Sequence, residues 1–328
     1  MKIGILDPMA EDTALERALA AEYGVELVLP DRSPTPAAWQ SGFANCDGLV
    51  TERILMSGET MDRFPNLKVI VRMGIGVDNV DLQAATDRGI RVFNVPDYCT
   101  EEVATHTLAL LLNAMRGVSV SHARVRKGAW TYKAYSGMER ISASSVGILG
   151  LGKTARRLIE LLRPLGCEIR AWTRHPDKYG EFLQLHGVKA ISERELLSTS
   201  DFVVVLLPLT PDTVHYINAE RLSLMKPGAW LINTSRGKIV NESDLIAALQ
   251  SGMLAGAALD VLDPEPPRPD NPLLHMENVV VTPHSAFYSR QSFEDLRTLS
   301  LWYAIEFLQG KSTRRPVNAE VERRPRAK

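Results

Sequence analysis

Four residues, Val146-Gly147-Ile148-Leu149, run directly into Gly150-Leu151-Gly152-Lys153-Thr154-Ala155, and a helical pattern continues from Lys153 to Leu165. Few features narrow the choice of fold as much. Two glycines, one residue apart between a buried strand and a helix, let the chain turn sharply at the first and bare its backbone at the second. Ala155 at the third position keeps helix and strand close. The amides of Lys153 and Thr154 then sit at the positive end of the helix dipole, where a phosphate is favoured. In this strand-turn-helix setting the pattern is a dinucleotide fingerprint, and Gly150, Gly152, Lys153 and Thr154 are expected to contact the dinucleotide.

Short apolar runs alternate with helical patterns along the whole chain, which predicts β-α-β units building parallel sheets. Strands are expected over 2–6, 25–29, 48–51, 68–71 and 91–93, with helices over 14–23 and 81–88. A second series gives strands over 146–149, 168–172, 202–207, 230–233, 257–261 and 279–282, six being the count of a complete dinucleotide fold. Between the series, Thr100 to about Arg126 reads as one long apolar helix with Glu101 and Glu102 in its first turn, suited to joining domains or packing on a second subunit. An amphipathic segment over 289–308 follows the last strand. The first series also opens with Ile3-Gly4-Ile5-Leu6, but Asp7-Pro8-Met9 comes next. No pyrophosphate can approach that backbone, so the nucleotide is assigned to the second series alone.

Charge removes one class of partner: 38 Lys plus Arg against 39 Asp plus Glu leave a net charge of -1, whereas a general nucleic-acid binder is basic. Lys311, Arg314, Arg315, Arg323, Arg324, Arg326 and Lys328 are read as a solvated tail. Cys46, Cys99 and Cys167 fit neither a disulfide framework nor a zinc motif. His106, His122, His175, His186, His215 and His275 have no metal-ligand spacing, and are given no catalytic role. The N-terminal apolar stretch is too short for a signal peptide, and no run approaches a membrane span. A cytoplasmic protein is expected.

About 20 residues past the glycines, where an NAD-binding chain presents an acid to the ribose 2′-hydroxyl, this one has Thr173-Arg174-His175. With no carboxylate to repel a 2′-phosphate and a guanidinium to pair with it, NADP(H) is favoured and NAD(H) remains possible. Three further residues stand just past apolar runs, where open α/β sheets bind ligands: Arg236, Glu265 and His284. The set suits reversible carbonyl reduction. A histidine donates a proton near neutrality, a carboxylate orients it and keeps it charged, and an arginine grips a 2-oxoacid through its planar fork.

VGILGLGKTA, LLPLTPDT, INTSRGKIVNESDL, AGAALDVLDPEPP and VVTPHSAF, with Gly74-Ile-Gly-Val-Asp-Asn-Val-Asp81 and Asn94-Val-Pro96, together resemble the D-isomer-specific 2-hydroxyacid dehydrogenase family over about residues 45 to 310. The segments around Tyr98 and Phe287 are similar to the C-terminal-binding-protein-like branch; phosphoglycerate dehydrogenases are related. The resemblance implies Arg236, Glu265 and His284 as catalytic residues and a substrate-carboxylate loop at Gly74, Ile75 and Gly76, with Tyr98 and Phe287 as candidates to line the substrate pocket. It implies cofactor contacts at Pro208, Thr234, Ser235 and, through the carboxamide, Asp260. The fold implied is α/β, two flavodoxin- or Rossmann-like domains with doubly wound parallel sheets. Residues 100–287 would form the dinucleotide-binding domain, inserted into a substrate domain of 1–99 and 288–328. A homodimer through the nucleotide domain is expected. The activity implied is that of an NAD(P)-dependent 2-hydroxyacid dehydrogenase or 2-oxoacid reductase, on glyoxylate, hydroxypyruvate or a related acid. Phosphoglycerate dehydrogenase activity, or a nucleotide-sensing corepressor-like protein, are the alternatives.

Overall fold

The apolar runs resolve into two sheets, each parallel throughout, in a computed structural model that describes residues 1–30, 42–132 and 138–319. The chain divides into two compact units, one of residues 1–98 with 289–328, the other of 99–288.

In the first unit the strands are β1 (Lys2–Ile5), β2 (Glu26–Val28), β3 (Gly48–Thr51), β4 (Val69–Arg72) and β5 (Arg91–Asn94). Their order is β2-β1-β3-β4-β5, the flavodoxin arrangement. Ile3 pairs with Leu27 on one side and with Gly48 on the other. The helix Arg290–Leu308 lays Leu296, Leu301, Ala304 and Ile305 against Ile3, Ile5, Val69 and Val71, so the last helix completes the core of the first strands. Ser289 caps it by accepting from the Ser292 amide, and Arg297 clasps the buried Glu16 through two hydrogen bonds of 2.6 Å.

The second unit has β6 (Ser145–Leu149), β7 (Glu168–Trp172), β8 (Lys189–Ala190), β9 (Phe202–Val205), β10 (Trp230–Asn233), β11 (Gly256–Leu259) and β12 (Val279–Val281). Their order is β12-β11-β10-β9-β6-β7-β8. From β6 the chain steps outward through β7 and β8, then crosses back to β9 and builds the other half. The resulting switch point between β6 and β9 is where open α/β sheets bind ligands, beyond the strand carboxyl ends. Strand side chains alternate between two covered faces: Val204, Ile232 and Ala258 pack with Leu110, Leu111 and Leu158 on one. Val203, Val205, Leu231 and Ala257 pack with Leu196, Leu222 and Leu245 on the other. Coverage on both faces explains why these strands are uninterrupted apolar runs.

Four expectations need correction. The helix read as continuous from Thr100 to Arg126 breaks at Gly117, whose φ of +58° ends Thr100–Arg116 before Val118–Arg126 begins. The helix from Lys153 stops at Leu162 and tightens into a 3-10 turn over Arg163–Leu165, where Pro164 brings no amide. The sheet has a seventh strand, β8, two exposed residues long. The tail is not simply solvated: Arg314 stacks 3.8 Å from the Tyr303 ring. The buried Asn318 accepts from the Val92 amide and donates to the Ile90 carbonyl and the Thr86 hydroxyl. Arg323, Arg324, Arg326 and Lys328 lie outside the described residues.

Candidate active site

At the end of β6 the Gly150 amide bonds the Trp172 carbonyl at 2.9 Å. Gly150 has φ +98°, and a Cβ there would stand 2.5 Å from the Leu206 carbonyl oxygen. Gly152 differs: a Cβ added to it would meet nothing within 4 Å, so the space before it is open. Gly152 is also the N-cap of Lys153–Leu162, and no side chain caps that helix. A bare helix N-terminus facing open space is a cradle that a pyrophosphate fits. Thr173 and Arg174 follow directly on β7, next to β6 in the sheet. Arg174 is exposed, and its Nη1 lies 3.5 Å from Asp212 Oδ2, a weak surface pair.

The next strand ends carry the charged residues. Past β10, Asn233 is buried and its side chain ties the turn: Oδ1 accepts from the Ser235 amide and Nδ2 donates to the Arg236 carbonyl. Arg236 Nη1 in turn donates to the Ser235 carbonyl at 2.8 Å. Gly237 lets this turn abut the loop after β11, since a Cβ there would be driven into the Leu262 carbonyl. On that loop Glu265 accepts the Leu262 amide through Oε1 at 3.1 Å. Its Oε2 lies 2.6 Å from His284 Nδ1. Burial pushes the Glu265 carboxyl up. The hydrogen bond and charge of His284, the Leu262 amide and the charge of Arg236 outweigh burial and leave it below the usual glutamate value. The carboxylate therefore stays ionised beside the imidazole.

His284 has φ +50°, a conformation non-glycine residues seldom adopt, and the loop that imposes it is built on Asp260. That carboxylate, 1 % exposed, accepts from the Thr282 hydroxyl at 2.5 Å and from the Ser285 and Ala286 amides at 2.9 Å each. The Asp260 carbonyl takes the His284 amide at 2.8 Å. Asp260, read from the sequence as a cofactor contact, is thus committed to the loop that carries His284. The hydroxyls of Thr234 and Ser235 are likewise spent inside the unit, on Thr107 and on the Val205 carbonyl. Pro208, also read as a cofactor contact, is exposed beyond β9, its carbonyl accepting from Thr213.

His106 and Thr107 are residues that sequence reasoning missed. His106 Nε2 lies 3.0 Å from Thr282 Oγ1 and 3.5 Å from Asp260 Oδ1. Thr107 Oγ1 lies 2.7 Å from Thr234 Oγ1. Nothing local signals partners 127 and 176 residues away.

In the first unit Gly74 follows β4 with φ +138°, and the Arg72 guanidinium fills the space a Cβ would take. The Gly74 carbonyl accepts from the Val95 amide and Ile75 is partly exposed. Asn94 donates to the Ile75 carbonyl, which fixes the Gly74–Gly76 turn. Tyr98 is half-buried against the core of this unit. Phe287, in the second unit, meets the His284 ring edge-on at 6.4 Å. Among the described residues no His, Cys, Asp and Glu cluster suits a metal ion, and no helix is long and apolar enough to cross a membrane.

Parallel sheets of these two orders, with a glycine corner and a histidine-carboxylate pair beside an arginine, define a nicotinamide-type dehydrogenase scaffold. The family model for the NAD binding domain of D-isomer specific 2-hydroxyacid dehydrogenases matches residues 108–286. Glyoxylate reductase of Korarchaeum cryptofilum is 36% identical over 305 residues, 91% of this chain and 91% of that protein. D-3-phosphoglycerate dehydrogenase of Methanocaldococcus jannaschii is 32% identical over 322 residues, 97% of this chain; the chain spans only 59% of that relative's length. The crystal structure of the TT0316 protein from Thermus thermophilus superposes with a TM-score of 0.84 at 34% identity, covering 97% of this chain and all of that one. The chain belongs to the D-isomer specific 2-hydroxyacid dehydrogenase family.

Proposed function

We propose that the protein is a nicotinamide-dependent 2-hydroxyacid dehydrogenase that works as a reductase of small 2-oxoacids such as glyoxylate or hydroxypyruvate. The observation that carries this reading is the 2.6 Å pair of His284 Nδ1 and Glu265 Oε2. With Nδ1 committed to an ionised carboxylate, proton exchange with substrate falls to Nε2, and the carboxylate stabilises the imidazolium that precedes donation. Arg236 holds the 2-oxoacid by its carboxylate and carbonyl oxygens. For Gly74, Ile75 and Gly76 the role is contact with the acid through backbone amides. The reduced cofactor, held at the Gly150–Gly152 corner with Lys153 and Thr154, supplies the hydride that adds to the carbonyl carbon. His284 Nε2 gives its proton to the carbonyl oxygen, completing the alcohol, and takes it back in the oxidative direction.

NADP(H) is the favoured cofactor, because Thr173 and Arg174 stand at the end of β7 where an acid would exclude the 2′-phosphate. A homodimer through the second unit is supported by the apolar exposure that follows the helix Val118–Arg126, where Trp130 and Tyr132 are each 89% exposed. A sedimentation mass of one chain would overturn it. Three free cysteines agree with a reducing, cytoplasmic setting.

His284→Ala tests the reading. Cofactor oxidation with glyoxylate or hydroxypyruvate is expected to fall by about 1,000-fold, while cofactor affinity, read by fluorescence titration, stays within about three-fold. Undiminished turnover would refute the assignment.

A further inference from the structure

Neighbouring residues on one helix hold both of the loops on which that reaction depends. Thr282 has a single O–H, and it goes to Asp260 Oδ1, so at the 3.0 Å contact His106 Nε2 is the donor. The same counting applies to Thr107. Its hydroxyl donates to the Val103 carbonyl at 2.6 Å, so the Thr234 hydroxyl donates to Thr107 Oγ1. From helix Thr100–Arg116, then, His106 reaches the ends of β11 and β12 through Asp260 and Thr282, and Thr107 reaches the end of β10. Thr234 leads into the Asn233-tied turn of Arg236, and Asp260 holds the amides on either side of the loop of His284.

We propose that His106 and Thr107 are positioning residues, the first fixing the His284 loop and the second the Arg236 turn, so that one helix sets proton donor and substrate anchor relative to each other. This rests on the roles given above to His284 and Arg236. The physical grounds are the burial of the pieces. A carboxylate 1 % exposed must have its donors held in place, and the αL conformation of His284 persists only if its surroundings over-determine it. Thr107 is fully buried and Thr234 nearly so, which leaves their hydroxyls no water to turn to. An imidazole displaced by an ångström loses much of its advantage as a proton donor.

Two substitutions separate the arms. His106→Ala is expected to lower kcat about 30-fold with the 2-oxoacid KM within about three-fold. His106→Gln, which returns a donor near the Nε2 position, restores most of it. Thr107→Val keeps the shape and removes the hydroxyl; it is expected to raise the 2-oxoacid KM about ten-fold with kcat within about three-fold, and Thr107→Ser to reverse this. Equal losses in kcat and KM from both variants would mean general loosening and overturn the proposal. Imidazole ¹⁵N resonances in the cofactor-free protein give a reading independent of activity. In His106→Ala the His284 Nδ1 signal is expected to shift toward that of a solvated histidine, and in His106→Gln to stay. An unchanged His284 signal in His106→Ala sinks the proposal even if the enzyme turns over. A wild-type protein silent on every 2-oxoacid sinks the functional reading instead, and the resonances still decide this one.

Discussion

Two corners of this molecule start from nearly the same residues and reach opposite chemistry. Ile3-Gly4-Ile5-Leu6 leads the first sheet and Val146-Gly147-Ile148-Leu149 the second, and in both the strand is flanked by parallel neighbours on either side. After β1 comes Asp7, whose carboxylate accepts three amides of one loop: Glu52 at 2.8 Å, Arg53 at 2.6 Å and Ile54 at 3.2 Å. The first unit thus supplies its own anion to the backbone donors at that corner. After β6 come Gly150 and Gly152, which bring no side chain, and the helix start at Gly152 is left uncapped. A ligand's anion fits where the other corner has already used a side chain. The fold is common to both units, and the difference lies in whether one residue after the strand fills the cradle.

The sharpest way to break this contrast is to fill the open corner. Gly150→Val forces a branched residue to φ +98° with a carbonyl 2.5 Å from its Cβ. Strain on the order of 3 kcal/mol is about two powers of ten in affinity. Cofactor titration is expected to show at least that loss; unaltered affinity would mean that the corner does not hold the dinucleotide.

The converse change, Asp7→Ala, empties the closed corner. Three amides lose an ionised acceptor, and the first unit is expected to lose about 2 kcal/mol in urea unfolding, with cofactor affinity unchanged. Tighter cofactor binding in that variant, or no change in stability, would contradict the self-supplied anion.

A smaller effect is expected at the edge of the open corner. Arg174→Ala should raise the KM for NADPH about ten-fold and leave NADH within about two-fold, because an exposed guanidinium pairs with a phosphate that NADH lacks. The weak contact to Asp212, 3.5 Å away with both side chains exposed, offers that phosphate little competition. Equal effects on the two cofactors would remove Arg174 from the 2′ site.

What the sequence discloses follows from the same contrast. β6, β9, β10 and β11 are legible because both faces are covered and every position is apolar or small; β8 has two exposed residues and leaves no such trace. The break at Gly117 was present as a glycine, but apolar periodicity on both sides masks a left-handed cap that only the folded backbone reveals. At the site, Arg236, Glu265 and His284 announce themselves by standing after strands. What holds them does not. The roles of Asp260, His106 and Thr107 depend on which strand ends one helix meets, and that is set by a sheet order in which β11 lies between β10 and β12.

The smallest effect concerns a second carboxylate, and it tells the two kinds of acid apart. Asp7 is bound by backbone alone, whereas Glu265 has one amide and the His284 imidazole. Burial raises the Glu265 carboxyl, but the histidine, the Leu262 amide and Arg236 together depress it below its usual value. A carboxyl depressed in the folded state adds stability above its unfolded pKa and loses it as the pH falls through the folded one. Glu265→Gln removes that contribution. The stability gap between wild type and variant should therefore be widest near neutrality and close as the pH drops below about 4. With 37% of the Glu265 side chain exposed, the gap is expected to stay under about 1 kcal/mol, while the fall in kcat at neutral pH is far larger. Urea unfolding at pH 7 and at pH 4 measures it. A gap that widens on acidification would mean that Glu265 is protonated in the resting protein, and would leave His284 without the ionised partner that its proton transfer requires.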